Sequence, residues 1–256
     1  MQNWDAGQYL KFEAERTQLS RDLAARITVE QPGKIIDMGC GPGNSTRVLA
    51  RRFPGAAVCG VDSSPEMIAA AQAAFPQFAF QQLDISGDLE PLGNGYDVVF
   101  SNACIQWVPG HAVLIPKLMA LLRPGGQLAV QTPMIEREPI HQMVQAVAGA
   151  ARWQGRFGGG RSFYNLSPEA YHALLAATAT GFWIWETIYH HRMPSHAAIL
   201  EWYRGSGLRP YLQVLTPEER IEFEDAILER LLEAYPLQPN GEIIFRFPRL
   251  FFLAVR

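Results

Sequence analysis

Asp37-Met38-Gly39-Cys40-Gly41-Pro42-Gly43-Asn44-Ser45 decides the fold, because it joins an apolar stretch at 34–38 to a run with helical spacing at 44–52. Glycines at such a place permit a tight turn. They also let a ligand approach the backbone at a helix N-terminus, where amide N–H groups lack intrahelical partners. The spacing is G-x-G-x-G, not the G-x-G-x-x-G of dinucleotide sites, and Asp37 stands just before it, an acid suited to a ligand carrying an ammonium group.

Moving outward, the pattern of strand, loop and helix repeats. Residues 57–61 read as a second strand ending at Asp62, followed by Ser64-Pro65-Glu66, which has the form of an N-cap, a first-turn proline and an acidic first turn for a helix to about Ala74. Residues 78–83 give a third strand closing on Asp84, and 96–100 a fourth closing on Ser101-Asn102. A helix over 112–122, ended by Arg123-Pro124-Gly125-Gly126, leads to a fifth strand over 127–131. Strands alternating with helices imply a parallel sheet, and the polar residues collect at strand C-terminal ends, where ligands bind in open α/β sheets. Asp62 lies nineteen residues past Gly43, the distance at which an acid meets ribose hydroxyls in nucleotide folds.

Past Thr132 the segments are longer, richer in aromatics and arginine, and look like a cover over the site. A helix over 139–152, a glycine-rich loop over 155–161, a helix after Ser167-Pro168-Glu169, a strand over 182–190, helices over 195–203 and 216–234, and extended segments over 243–247 and 249–255 complete the expectation.

Composition narrows the function. Of 256 residues, 48% are hydrophobic and 18% charged, which suits a fully folded globular protein. The net charge of −3 comes without a basic block, so nucleic acid is not an expected partner. No apolar run approaches the roughly 18 residues of a membrane helix, so no membrane partner is expected either. Met1-Gln2-Asn3-Trp4-Asp5 does not read as a secretion signal, and the three cysteines, Cys40, Cys59 and Cys104, form no C-x-x-C pair. The expectation is a cytoplasmic protein without a disulfide or zinc framework.

Taken together, Asp37 to Gly43, Val61-Asp62-Ser63-Ser64-Pro65, Asp84-Ile85, Ser101-Asn102-Ala103 and Leu122-Arg123-Pro124-Gly125-Gly126 resemble the class I S-adenosylmethionine-dependent methyltransferases. The resemblance implies a Rossmann-like, mostly parallel seven-stranded α/β sheet with helices on both faces and a helical substrate-covering region. It implies S-adenosylmethionine as cofactor, demethylated to S-adenosylhomocysteine. Gly39, Gly41 and Gly43 would face the methionine part, Asp62 the ribose, Asp84 and Ile85 the adenine, and Asn102 the strand-four edge of the site, with Asp37, Ser63 and Met67 also binding the cofactor. Residues 1–30 would form a helical segment closing the cofactor site, 31–132 the cofactor-binding core, and 133–256 the remaining strands plus the cap, within one domain.

A narrower resemblance spans nearly the whole chain. The stretch from Trp4 to Arg16, Asn102-Ala103-Cys104-Ile105-Gln106-Trp107, Met193-Pro194-Ser195-His196, Gly207-Leu208-Arg209-Pro210 and the run from Asn240 to Leu250 are similar to the trans-aconitate 2-methyltransferase family. The loop from Gly155 to Tyr164 departs from that pattern. The resemblance implies a small polycarboxylate as substrate, and arginine is the residue to hold it, since its planar fork pairs carboxylates bidentately at any relevant pH. Arg209 and Arg249, set in apolar surroundings, are the first candidates; Arg16 follows, with Arg161 and Arg204 behind it, and Tyr9, Tyr164 and Trp107 could line the cavity. A carboxylate nucleophile is ionised at neutral pH, so no general base is expected and no residue is assigned a proton-transfer role. His190, His191 and His196 would matter only for a hydroxyl or amine acceptor, and their spacing gives no metal site. Three other readings compete: a methyltransferase for another small metabolite, a nicotinamide-dependent oxidoreductase on the same architecture, and a non-catalytic S-adenosylmethionine sensor.

Overall fold

A computed structural model describes residues 13–157, 163–205 and 207–256, with side chains from residue 17 onward. Tyr9 and Arg161 therefore lie outside the described residues, as does the side chain of Arg16. The chain divides into two compact units. One comprises the described residues up to 133 together with 163–186 and 250–256; the other comprises 134–157 and 187–249.

The first unit carries the expected alternation. Strands β1 (Lys34–Met38), β2 (Ala57–Asp62), β3 (Ala79–Gln82), β4 (Tyr96–Asn102), β5 (Leu122–Pro133), β6 (Gly181–Met193) and β7 (Ile243–Val255) form one seven-stranded sheet in the order β3, β2, β1, β4, β5, β7, β6. The pairs β1 with β2 and β4, β2 with β3, and β4 with β5 are parallel. β7 runs the other way, because Gly125 and Gly126 near the start of β5 bond Arg256 just after its end. The sheet is thus mixed and mostly parallel, as expected. Ile35, Ile36, Val98, Val99, Phe100, Leu128 and Val130 are fully buried, as strands covered on both faces require.

The order reverses between β1 and β4, so the turn after β1 and the end of β4 open side by side at the sheet's C-terminal edge. Helices α1 (Glu13–Ala25) and α2 (Asn44–Arg52) pack together, and one face of the sheet turns toward them. Gln127 reaches Thr28, three residues past the end of α1, while Asp37 reaches Ser45 and Thr46 of α2. Helix α3 (Pro65–Ala74) lies along β2 and β3, its N-cap Ser64 accepting from Met67 N. Helices α4 (His111–Ala120) and α6 (Pro168–Thr178) are joined by His111 Nδ1 and Tyr171 Oη at 2.7 Å.

Some boundaries differ from expectation. Residues 122–126 belong to β5, and α4 stops at Ala120, because the Arg256 backbone pairs with Gly125 and Gly126 and draws the Arg-Pro-Gly-Gly stretch into the ladder. The helix expected over 139–152 also stops early. It is α5 (Pro139–Ala148) followed by a separate turn at Ala151–Trp153.

The second unit packs α5, α7 (His196–Arg204), α8 (Arg209–Leu212) and α9 (Pro217–Ala234) around aromatic side chains. Trp153, Phe157, Tyr211 and Phe223 sit with ring centroids 5.0 to 6.1 Å apart. Thr216 and Glu219 close the start of α9 as a reciprocal cap.

Asp97 of β4 holds three parts of the first unit. Its Oδ2 accepts from Gly33 N and Lys34 N at 2.8 Å each, and its Oδ1 accepts from Arg123 of β5. Asp97→Ala removes an ionised acceptor from two backbone donors and a guanidinium, and is expected to cost about 3 kcal/mol in urea unfolding. A loss under about 0.5 kcal/mol, the scale of an ordinary surface change, would show that β1 needs no such anchor.

Candidate active site

The turn after β1 is built around one carboxylate. Asp62, at the end of β2, accepts from Gly41 N through Oδ2 and from Ser64 N through Oδ1, both at 2.9 Å. It therefore fixes the glycine-rich turn and the start of α3 at once, while each oxygen keeps a lone pair for another donor. Burial raises its pKa above the usual carboxylate range, opposed by the N–H groups that it accepts from.

The three glycines of the turn have different reasons to be glycine. All have positive φ: 74° at Gly39, 53° at Gly41 and 90° at Gly43. A Cβ on Gly39 would meet Cys104 Sγ, and one on Gly43 would meet the Phe75 ring at 2.7 Å, so both positions are closed by packing. Gly41 is open, with nothing among the described residues within 4 Å of where a Cβ would stand. Among the three, its backbone is the one that a ligand can approach from that side.

Asp37 is fully buried in β1. Its Oδ2 accepts from Ser45 Oγ at 2.6 Å and Thr46 Oγ1 at 2.7 Å, whereas Oδ1 has no partner among the described residues. Burial pushes its pKa from 3.8 up to about 6, more than the two hydroxyls pull it down. At neutral pH it is a buried anion with one unsatisfied oxygen, and such an atom is costly unless something binds it.

The other cofactor candidates lie along the same edge. Ser63 is exposed beside Gln82, whose amide donates to its carbonyl. Met67 is buried at the start of α3, and Ile85 is buried after β3. Asp84 is exposed, with Oδ1 accepting from Ser86 N and Oγ in a local turn. Asn102 ends β4, and its Oδ1 is buried without a partner. Ala103 follows with φ of 54°, the non-glycine residue with positive φ among the described residues.

Of the substrate candidates, Trp107 and Tyr164 come together in the first unit. Trp107 packs on Phe163 with centroids 4.5 Å apart, and Tyr164 N donates to Gln106 O. Gln106, missed from the sequence, is buried, donates to Ala103 O at 2.7 Å and bonds Thr132. Cys104, which the sequence marked only as a cysteine outside any C-x-x-C pair, is the residue that makes Gly39 obligatory.

Arg249 and Arg209 belong to the second unit. Arg249 is buried, donates to Glu138 Oε1 at 2.6 Å and lies over the Phe247 ring. Burial raises the Glu138 pKa, and Arg249 opposes that rise. Glu138 was not singled out from the sequence. Its position at the N-cap of α5 gives no sign of a partner 111 residues away. Arg209 opens α8 and is half-buried. Arg204 is held on the surface by Glu201 and Glu224.

Two of the histidines, His111 and His196, are engaged in structure. His111 uses both ring nitrogens, on Tyr171 Oη and Ile105 O, and His196 bonds Tyr235 O through Nε2. No group of three or more metal-ligating side chains occurs among the described residues.

Comparison with known proteins adds the following. Residues 35–126 match a methyltransferase domain family. A trans-aconitate 2-methyltransferase of Methylobacterium radiotolerans is 43% identical over 99% of this chain and 98% of its own. In structure, the YcgJ protein of Bacillus subtilis superposes with a TM-score of 0.60 at 13% identity, over 94% of this chain and 98% of that one. Phosphoethanolamine N-methyltransferase 2 of Haemonchus contortus, solved in complex with S-adenosyl-L-methionine, gives 0.56 at 20% identity over 93% of this chain and 52% of its own.

Two outcomes test this geometry. The Asp37 carboxyl has a folded pKa near 6 against 3.8 unfolded. Its contribution to stability is therefore present below pH 4 and is lost as pH rises through about 6. The unfolding free energy of wild type minus that of Asp37→Asn should fall by about 3 kcal/mol between pH 4 and pH 7; a flat difference would mean that the carboxyl titrates normally. Arg249→Leu leaves the Glu138 charge buried and alone, which should cost about 3–5 kcal/mol, and Arg249→Leu with Glu138→Leu should recover most of it. A double variant no more stable than the single one would contradict the pairing.

Proposed function

Because the chain belongs to the trans-aconitate 2-methyltransferase family, we propose that it transfers a methyl group from S-adenosylmethionine to a carboxylate oxygen of trans-aconitate, yielding the monomethyl ester and S-adenosylhomocysteine. The observation that carries the reading is 43% identity over 99% of the chain, a match that therefore includes the part bearing the candidate substrate arginines.

The residues present fit the cofactor. Gly41 offers open backbone, Asp62 keeps lone pairs free for ribose hydroxyls, and Asp37 and Asn102 hold buried acceptors in want of a donor. When bound, the cofactor supplies an electrophilic methyl on a sulfonium. Gly39, Gly41 and Gly43 shape the turn beside it; Ser63, Met67, Asp84 and Ile85 are the assigned neighbours of the ribose and base. Arg209 and Arg249 are assigned to the carboxylates that do not react, since a guanidinium on the nucleophilic oxygen would dull it. For Arg249 this means sharing its guanidinium with Glu138. Trp107 and Tyr164 supply apolar wall.

The acceptor carboxylate is already ionised at neutral pH, so the chain is not required to remove a proton. What remains is alignment and desolvation. Holding nucleophile and methyl in line can supply roughly 7–11 kcal/mol, and a site that excludes water favours a step in which opposite charges neutralise. No helix among the described residues is long and apolar enough to cross a membrane. Together with free cysteines and a chain lacking basic blocks, this supports a cytoplasmic enzyme acting on a small molecule, without nucleic acid.

Transfer of a labelled methyl group tests the reading. With trans-aconitate the label should appear in a base-labile ester, with kcat/KM well above that for saturated tricarboxylates. Arg209→Ala should raise KM for trans-aconitate by about 10-fold or more while sparing S-adenosylhomocysteine affinity. A protein that binds S-adenosylhomocysteine yet labels no polycarboxylate would refute the assignment.

A further inference from the structure

Among the described residues, five buried side-chain atoms on four residues of the first unit have no hydrogen-bond partner: Thr17 Oγ1, Asp37 Oδ1, Asn102 Oδ1, and Gln131 Nε2 and Oε1. Such atoms are scarce in folded proteins, and each is destabilising if nothing meets it. Gln131 is the extreme case. It is fully buried in β5, and both ends of its amide are unsatisfied.

The strand register puts three of the four residues on one face. Asp37 pairs with Phe100, Phe100 with Ala129, and Asn102 with Gln131, so Asp37, Phe100, Asn102, Ala129 and Gln131 all point to the same side. Gln127 has the same parity and bonds Thr28, while Asp37 bonds α2, so this is the face that carries α1 and α2. Thr17, buried in α1, is the fourth residue, and α1 packs against β5. Asn102 and Gln131 are the last register pair of β4 and β5, near the sheet's C-terminal edge and about 5 Å apart in the backbone.

The chemistry of the five atoms selects a ligand. Three are acceptors, on Asp37, Asn102 and Gln131, and one of these is a carboxylate. Two can donate, the Gln131 amide and the Thr17 hydroxyl. A group with several N–H donors and a positive charge matches the acceptors, and a single anionic acceptor matches the donors. A polycarboxylate, which has no donor at neutral pH, would set its charge against Asp37. An α-amino acid zwitterion satisfies both sets.

We propose that Gln131 binds the amino-acid end of the cofactor, its Nε2 and the Thr17 hydroxyl donating to the carboxylate while Asp37 Oδ1, Asn102 Oδ1 and Gln131 Oε1 accept from the ammonium. This rests on the glycine-rich turn holding S-adenosylmethionine, and it adds β5 and α1 to the residues that do so. It also gives the buried Asp37 charge a counterion.

Titration calorimetry with S-adenosylhomocysteine and with 5′-methylthioadenosine, which keeps the adenosine and thioether but lacks the amino-acid end, tests the assignment. Gln131→Met, close in shape, should weaken S-adenosylhomocysteine by about 10- to 100-fold and leave 5′-methylthioadenosine within about twofold. Thr17→Val should show the same selectivity and serves if Gln131→Met does not fold. Unchanged S-adenosylhomocysteine affinity in both variants, or equal losses for both ligands, overturns the role of Gln131, as does a change confined to KM for trans-aconitate. Failure of the cofactor reading looks different: wild type then binds neither nucleoside, or Asp62→Ala leaves both affinities untouched.

Discussion

The first unit depends on a carboxylate that bonds backbone from two elements. Asp62 takes the Gly41 N–H from the turn after β1 and the Ser64 N–H from the start of α3. Because the acid is charged and half-buried, these bonds are of the stronger kind, roughly twice a neutral pair. They hold a backbone whose φ angles few residues tolerate. The packing closes on that geometry: Cys104 against Gly39, Phe75 and Phe80 against Gly43, Cys40 and Phe80 against Gly60. A side chain at any of the three glycines would have to displace a neighbour from another element. Gly41, open on that side among the described residues, is the exception, since packing does not fill its space.

The second unit depends on a charge pair placed where water does not reach. Arg249 and Glu138 are both nearly buried, and the guanidinium also covers the Phe247 ring. Such a pair contributes little net stability over an apolar alternative, but removing one partner strands the other. Arg249 is therefore neither a simple surface cation nor an isolated anion receptor. Any carboxylate that it binds competes with, or adds to, Glu138.

The parallel half of the sheet was legible in the sequence because its strands are short apolar runs closed by glycine, aspartate or asparagine, signals that need only local reading. β1, α2 and α3 fall where their caps and periodicity put them. Leu122-Arg123-Pro124-Gly125-Gly126 misled because it carries every local mark of a turn, while its partner in the ladder, Arg256, lies more than a hundred residues away. Asp37 and Asp62 could be singled out from spacing against the turn. Gln131 and Glu138 could not. One sits in a stretch that reads only as strand, the other at a helix start, and what makes them notable is a partner, absent or distant, that only the folded chain reveals.

The histidines illustrate how the reaction shapes what the chain need not supply. His111 and His141 are held toward the neutral form by burial, the first wedged between Tyr171 Oη and Ile105 O, the second 3.1 Å from Tyr203 Oη. A neutral imidazole whose nitrogens already serve the fold is poorly placed to collect a substrate proton. Methyl transfer to an alcohol or amine would demand such a collector, because the nucleophile must lose a proton. Transfer to a carboxylate makes no such demand, so histidine is free to become a packing residue. What such an acceptor asks for instead is charge: cationic donors for the carboxylates that do not react.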